Sequence, residues 1–155
     1  MYTFSAHICA KLPTFAPNPV NPVPPMSYLT DKSDALQQAA ALLHEKGLHP
    51  AAAHPAYYCC YQLMMHIWLH SMKKTPEELT RRRNPHEALI AEIGGRIEKS
   101  AGKDSAANFR AFYRKIWELK ELRISADYSN APFDVKKSAR ALRLSSVITS
   151  ILKKY

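Results

Sequence analysis

Length, composition and charge limit the classes of protein to which this chain can belong. A chain of 155 residues, 46% of them apolar, can bury one good hydrophobic core and predicts a single domain. Three cysteines, two of them adjacent, make no disulfide framework, so a reducing cytoplasm is favoured over secretion. The net charge of +9, with its basic surplus almost entirely after Met72, favours polyanions such as RNA, DNA or nucleotides. A solvated basic surface without a partner is the commoner meaning of such a count.

The sequence favours neither a membrane span nor a signal peptide. Residues 47–72 carry no Lys, Arg, Asp or Glu and are long enough to cross a bilayer. Four histidines, two prolines and Gln62 within them favour a buried central helix instead. Residues 1–12 lack the basic segment, apolar run and cleavage site of a signal peptide. We therefore expect a cytoplasmic protein with no membrane partner.

The chain divides into an arm and a helical domain. Six of the eleven prolines lie between Pro13 and Pro25, where they favour extended or polyproline II geometry and cannot supply helix hydrogen bonds. Residues 1–25 are therefore predicted to be a Pro-rich arm. Residues 26–155 are predicted to form the helical domain.

Helix-breaking residues set the predicted limits of the first two helices. Thr30 is expected to cap the first, which runs to about residue 46, where Gly47 ends the pattern. Pro55 is tolerated only in a first turn, so the second helix should begin no earlier than about residue 52. Its apolar and aromatic side chains continue to Met72 on almost every face, which predicts a central position in a bundle.

Three more helices and a short turn complete the prediction. Thr75 and Glu78 fit a capping box for the turn, and Asn84 is placed to cap the third helix. The third, fourth and fifth helices are expected at about residues 84–99, 103–128 and 133–153. No strand pattern competes with them. The fold class expected is all-α, an up-and-down bundle of about five helices.

The fourth helix carries charge on the face that it should bury. At about 100° per residue, Lys120, Arg123 and Asp127 share one sector with its apolar residues. These are Phe109, Phe112, Tyr113, Ile116, Trp117 and Leu119. An unpaired buried charge costs several kcal/mol, so the charges indicate a polar pocket, an interface or a helix end emerging into water. A simple Arg123–Asp127 pair one turn apart, or fraying, explains them equally well.

Metal-binding and enzyme motifs are weak. His66 and His70 have a spacing that can share a metal, but Ile67 stands where a zincin has Glu, and no third ligand is obviously placed. Cys59 and Cys60 point about 100° apart on a helix and are expected to pack rather than react. No metal or cofactor is expected.

Arg, His and Tyr side chains are grouped in two places, Arg81–His86 and Arg123–Tyr128. An Arg can hold a phosphate through two hydrogen bonds while a His or Tyr bonds to a sugar hydroxyl or leaving oxygen. This combination suits binding or cleavage of RNA. The run of arginines from Arg81 is most often just a solvated loop.

Four features, taken in order, resemble the HEPN domain family. They are the segment from Tyr57 to Leu63, His86 followed by Leu89 and Ile90, Leu122-Arg-Ile-Ser-Ala-Asp-Tyr128, and a final helix just past a short turn. The resemblance covers residues 28–155 and is closest to the branch whose fourth helix ends in Leu-Arg-x-x-Ala-Asp-Tyr. It implies a helical bundle, usually a homodimer. Many members are metal-independent ribonucleases of toxin–antitoxin or defence systems, and others partner small nucleotidyltransferases or bind nucleotides without cleaving.

The family's catalytic motif is an Arg followed, after four to six residues, by a His. Arg123 matches the Arg, but Tyr128 stands in place of the His, and a phenol is a poor general base at neutral pH. Arg81 and His86 have the motif's spacing but lie before the third helix, where His86 matches a position better interpreted as structural.

The resemblance therefore implies a dimer that binds RNA or nucleotide near Arg123. Asp127 would orient the guanidinium and Tyr128 would supply a hydroxyl, with Lys120, Arg81 and His86 as further binding residues. If the protein cleaves RNA, the substrate's own 2′-hydroxyl would attack while Arg123 stabilises phosphate charge. The alternative is a non-catalytic module that holds a nucleotidyltransferase or another protein.

Overall fold

The computed structural model describes residues 27–155, and the predicted arm at residues 1–25 lies outside them. The helices are α1 (Ser27–Glu45), α2 (His49–His66), α3 (Pro76–Thr80), α4 (Pro85–Glu98), α5 (Ser105–Tyr128) and α6 (Val135–Leu152). One wider turn, Ile67–Ser71, continues α2. With no strand among residues 27–155, the predicted all-α bundle is confirmed. The five predicted helices correspond to α1, α2, α4, α5 and α6, and α3 is the short turn.

The second helix, α2, forms the centre of the bundle. It contacts α1, α4, α5 and α6, as its apolar side chains on nearly every face predict. Its largest fully buried side chains are Tyr57 and Met64, and Trp68 in the following turn is also fully buried. None of the described helices is long and apolar enough to cross a membrane.

The start of α2 differs from the prediction. The helix begins at His49 with Pro50 in its first turn, and Pro55 lies inside the helix. Pro55 cannot donate a hydrogen bond to the carbonyl of Ala51. Ala51 is exposed, so water can reach that end of the helix, while the Pro55 ring is buried in the bundle. The prediction was wrong because Pro50, not Pro55, takes the first-turn position.

The ends of α1 are partly as predicted. Gly47 has a φ of 74° and ends the helix, with its N–H donating to the carbonyl of His44 and the N–H of Leu48 donating to that of Leu43. These two bonds form a Schellman motif, which needs a residue in left-handed backbone conformation. Thr30 is not the cap, because α1 begins earlier, at Ser27.

The turn between α2 and α3 is closed by backbone and side-chain hydrogen bonds. The N–H of Met72 donates to the carbonyl of Ile67, five residues back, and the indole N–H of Trp68 donates to the carbonyl of Thr75. Thr75 and Glu78 make the predicted capping box, with distances of 3.4 and 3.0 Å between the bonded atoms. The capping box therefore fixes where α3 begins.

The fifth helix, α5, leaves the core before it ends. Phe112, Ile116 and Leu119 are its fully buried residues, and none of the residues after Leu119 is buried to that extent. This last part of α5 lies beside α2 and the first turn of α4. The charged residues on its inner face therefore lie at the edge of the bundle, where polar partners from two other helices reach them.

Candidate functional site

A cleft of about 210 Å³ opens where the last turns of α5 meet the first turn of α4. We call it the α4–α5 cleft. Its wall on the inner side is Tyr57 of α2. The residues that line it are Tyr57, Asn84, Pro85, His86, Glu87, Lys120 and Arg123. Three of the six predicted site residues therefore line one cleft: Lys120 and Arg123 from α5, and His86 from α4, which is distant from them in sequence.

Arg123 is held on three sides. Its side chain is only 17% exposed, and its Nε lies 2.9 Å from Oδ2 of Asp127, an ion pair without the angle of a hydrogen bond. Its Nη2 donates to the hydroxyl of Tyr58 at 3.3 Å. The guanidinium carbon lies 5.5 Å from the centre of the Tyr58 ring and 5.7 Å from that of Tyr128. The predicted Arg123–Asp127 pair is confirmed; Arg123 lines the α4–α5 cleft, and Asp127 does not.

Asp127 has a second partner, His54 of α2, which the sequence analysis did not identify. Nδ1 of His54 lies 3.1 Å from Oδ2 of Asp127, the same oxygen that faces Arg123. The imidazole stacks on the Tyr58 ring, with ring centres 4.5 Å apart and an interplanar angle of 25°. His54 and Tyr58 are four residues apart on one helix, so they lie on one face. That spacing is the one sequence signal that could have indicated the pair.

His86 lies between aromatic rings of α2. Its Nδ1 is 2.9 Å from the Tyr57 hydroxyl, and the centre of the Tyr61 ring lies 4.6 Å from that of the imidazole. Burial, and then the charges of Arg123 and Lys120, lower the pKa of His86 below its ordinary value. Burial raises the pKa of Tyr57, so its phenol keeps its proton. The cleft therefore presents a neutral imidazole at neutral pH.

Lys120 is also paired. Its Nζ donates to Oε1 of Glu87 at 2.8 Å and lies 4.7 Å from the centre of the Trp117 ring. This hydrogen bond lowers the pKa of the Glu87 carboxyl. Asn84 stands at the start of α4 as predicted, but its side chain makes no capping hydrogen bond; its amide N–H donates to Oε2 of Glu87. Each cation of the cleft thus has a carboxylate beside it.

The chain matches no protein-family model, no curated protein and no solved structure.

The other predicted site residues take different positions. Tyr128 is 73% exposed, and it meets the site through its ring over Arg123, while its hydroxyl makes no hydrogen bond within residues 27–155. Arg81 is exposed at the end of α3 and is not among the residues that line the cleft. Its neighbour Arg82 pairs with Glu92, 3.6 Å away, on a separate surface groove. Nothing in the geometry joins Arg81 to His86.

No group of three or more His, Cys, Asp or Glu side chains within residues 27–155 is arranged to hold a metal ion. The rings of His66 and His70 are 4.8 Å apart and tilted by 47°. Cys59 and Cys60 are fully buried and free, in agreement with a packing role. Burial raises the pKa of the Cys60 thiol, which keeps it protonated.

Proposed function

We propose that this chain is a HEPN-like protein whose α4–α5 cleft binds a phosphate group of RNA or of a nucleotide. The observation that carries the proposal is the fixed guanidinium of Arg123 in the wall of the cleft. A planar guanidinium suits phosphate because its parallel N–H groups match two phosphate oxygens.

The surroundings of Arg123 support this use. Asp127 takes the Nε side and Tyr58 takes one N–H of Nη2, so the remaining Nη N–H groups make no hydrogen bond within residues 27–155. Because the Tyr58 and Tyr128 rings hold the guanidinium from two directions, little side-chain freedom is lost when an anion binds.

Neighbouring groups suit the rest of a nucleotide. Lys120 adds a second cation to the cleft, and the neutral imidazole of His86 can bond to a sugar or base. The exposed ring of Tyr128 can stack on an unpaired base, an interaction worth about 1–3 kcal/mol per base in proteins that bind single strands. Phosphate, sugar and base would then each have a partner at one site.

Binding of a fluorescent single-stranded oligoribonucleotide tests the proposal. We expect Arg123→Ala to weaken binding about tenfold or more and to reduce the slope of log affinity against log salt by about 0.7. Arg114→Ala is the matched control, because Arg114 is exposed on the same helix and outside the cleft. It makes the same change in net charge. Equal losses in the two variants would mean diffuse attraction to a basic surface and would refute the proposed site.

The homodimer and the nucleotidyltransferase partner stay predictions that rest on the resemblance alone. Sedimentation of the purified protein over a range of concentrations tests the dimer, and a single protomer mass at high concentration would contradict it. If the protein binds no RNA or nucleotide, the alternative of a non-catalytic interaction module takes the place of the binding proposal.

A further inference from the structure

One carboxylate oxygen joins an imidazole to the guanidinium of the proposed phosphate site. Oδ2 of Asp127 lies 2.9 Å from Nε of Arg123 and 3.1 Å from Nδ1 of His54. Nε of Arg123 and Nδ1 of His54 are therefore no more than about 6 Å apart, since both contact the same oxygen. His54 therefore lies beside the guanidinium of the proposed phosphate site, although it does not line the α4–α5 cleft itself.

The hydrogen bond to Asp127 determines which nitrogen of His54 is free. A carboxylate only accepts hydrogen bonds, so Nδ1 of the neutral ring carries the proton and donates it to Oδ2. Nε2 is then left with a lone pair. Because the His54 side chain is 50% exposed and stacked on Tyr58, the imidazole is held in orientation and stays accessible to solvent.

We propose that His54 is the general base of an RNA cleavage reaction at this site, in place of Tyr128. This inference rests on the proposed binding of RNA at Arg123. Nε2 of His54 accepts the proton of a 2′-hydroxyl while the 2′ oxygen bonds to the adjacent phosphorus. The P–O5′ bond breaks, its electron pair stays on O5′, and O5′ takes a proton from water. The imidazolium returns its proton to the hydroxide, which leaves a 2′,3′-cyclic phosphate and a 5′-hydroxyl.

The charges around the two imidazoles favour His54 over His86. A base must become positive, and the Asp127 carboxylate faces Nδ1 of His54 as the aspartate of a catalytic triad faces its imidazole. His86 has only the neutral hydroxyl of Tyr57 on its Nδ1, and Arg123 and Lys120 oppose its protonation. Arg123 can meanwhile stabilise the extra negative charge that develops on the phosphate oxygens.

The test uses a 5′-labelled oligoribonucleotide, and its all-deoxy counterpart, with the full chain in excess EDTA. We expect the RNA to be cut to a 2′,3′-cyclic phosphate and the DNA to stay intact. His54→Gln keeps an N–H group for Asp127 but cannot act as a base. It should slow cleavage about a hundredfold or more while RNA affinity changes less than about twofold.

Two further variants separate catalysis from structure. Added imidazole should partly restore cleavage by His54→Ala, because the exposed position leaves room for the free base. Arg114→Ala changes an exposed residue outside the cleft and should cleave within about threefold of the wild-type rate, in contrast to the hundredfold slowing expected for loss of a base.

Several results would overturn the inference. Equal cleavage by the wild type and His54→Gln would indicate a contaminating nuclease or another base. Loss of cleavage in Tyr128→Phe or His86→Gln, with His54→Gln active, would assign the base elsewhere. Tight binding of RNA by the wild type without cleavage would refute the catalytic role of His54 and leave the proposed binding function intact. Absence of binding would refute both.

Discussion

Tyr57 of α2 and His86 of α4 are joined by a hydrogen bond of 2.9 Å between the phenol oxygen and Nδ1. The bond crosses from the centre of the bundle to the floor of the α4–α5 cleft, and Tyr57 is fully buried while His86 is half-buried. It is therefore the direct polar link between the core and the cleft on this side of the bundle.

Removing the phenol oxygen should destabilise the protein without opening a cavity. We expect Tyr57→Phe to lower the free energy of unfolding by about 1 kcal/mol, because a half-buried Nδ1 loses its partner. Urea denaturation at pH 7 measures the effect. Tyr61→Phe is the control, since its hydroxyl makes no hydrogen bond within residues 27–155. An equal loss in the two variants would show that the Tyr57–His86 bond contributes nothing.

The lowered pKa of His86 gives this part of the fold a dependence on pH. Between the folded and the ordinary pKa, the unfolded chain binds more protons than the folded one, so stability rises with pH in that window. The contribution of neutral His86 is fully present above about pH 6.5 and is lost as the pH falls through the folded pKa.

Comparison with His86→Gln, which does not titrate, isolates this contribution. We expect the wild type to lose more stability than the variant between pH 7 and pH 5, as measured by urea denaturation at each pH. If the wild type instead gains stability relative to the variant on acidification, the pKa of His86 is raised rather than lowered, and the electrostatic description of the cleft is wrong.

The sequence was sufficient to predict the site residues that α5 contributes, and not those that α2 contributes. Lys120, Arg123 and Asp127 lie on one helix, so a helical wheel places them together without knowledge of the fold. His54 and Tyr58 reach the same carboxylate and guanidinium from α2, and that meeting depends on how α2 rotates against α5. Packing of side chains across the bundle sets this rotation, and local periodicity does not encode it.

Helix ends were predictable where a helix-breaking residue can occupy only one position relative to the helix. Gly47 ends α1 because its left-handed conformation suits few other residues, and the Thr75 capping box is a local pattern of two side chains. Pro50 and Pro55 could each occupy the first turn of α2, and the structure has Pro50 there. Pro55 inside the helix loses a backbone hydrogen bond, and burial of its ring offsets that loss. Local rules cannot rank such a cost against tertiary packing.

Two aspartates at helix starts differ in whether they cap. Oδ1 of Asp134 accepts a hydrogen bond of 2.9 Å from the backbone N–H of Lys137, whereas Asp104, at the start of α5, makes no side-chain cap bond. Asp134→Ala should lower the melting temperature by about 2–4 °C, because α6 loses a cap. Asp104→Ala should change it by less than half as much. Calorimetry of the two variants at pH 7 checks the difference, and an equal shift would contradict it.

Adjacent glycines in α4 should respond in opposite ways to the same substitution. A Cβ on Gly94 would lie 3.2 Å from the Phe109 ring and 3.4 Å from the Tyr113 ring, because α4 and α5 approach closely there. A Cβ on Gly95 would meet nothing within 4 Å. Gly95→Ala should therefore raise the free energy of unfolding by about 0.5–1 kcal/mol, from the lower conformational entropy of alanine in the unfolded chain.

Gly94→Ala gains the same helix preference but must push an aromatic ring of α5 away. Overpacking of this kind costs about 1–3 kcal/mol, so we expect it to cancel or exceed the gain. Urea denaturation of the two variants, made in the same background, measures the gap between them. If Gly94→Ala proves as stabilising as Gly95→Ala, the ring of Phe109 does not press on α4.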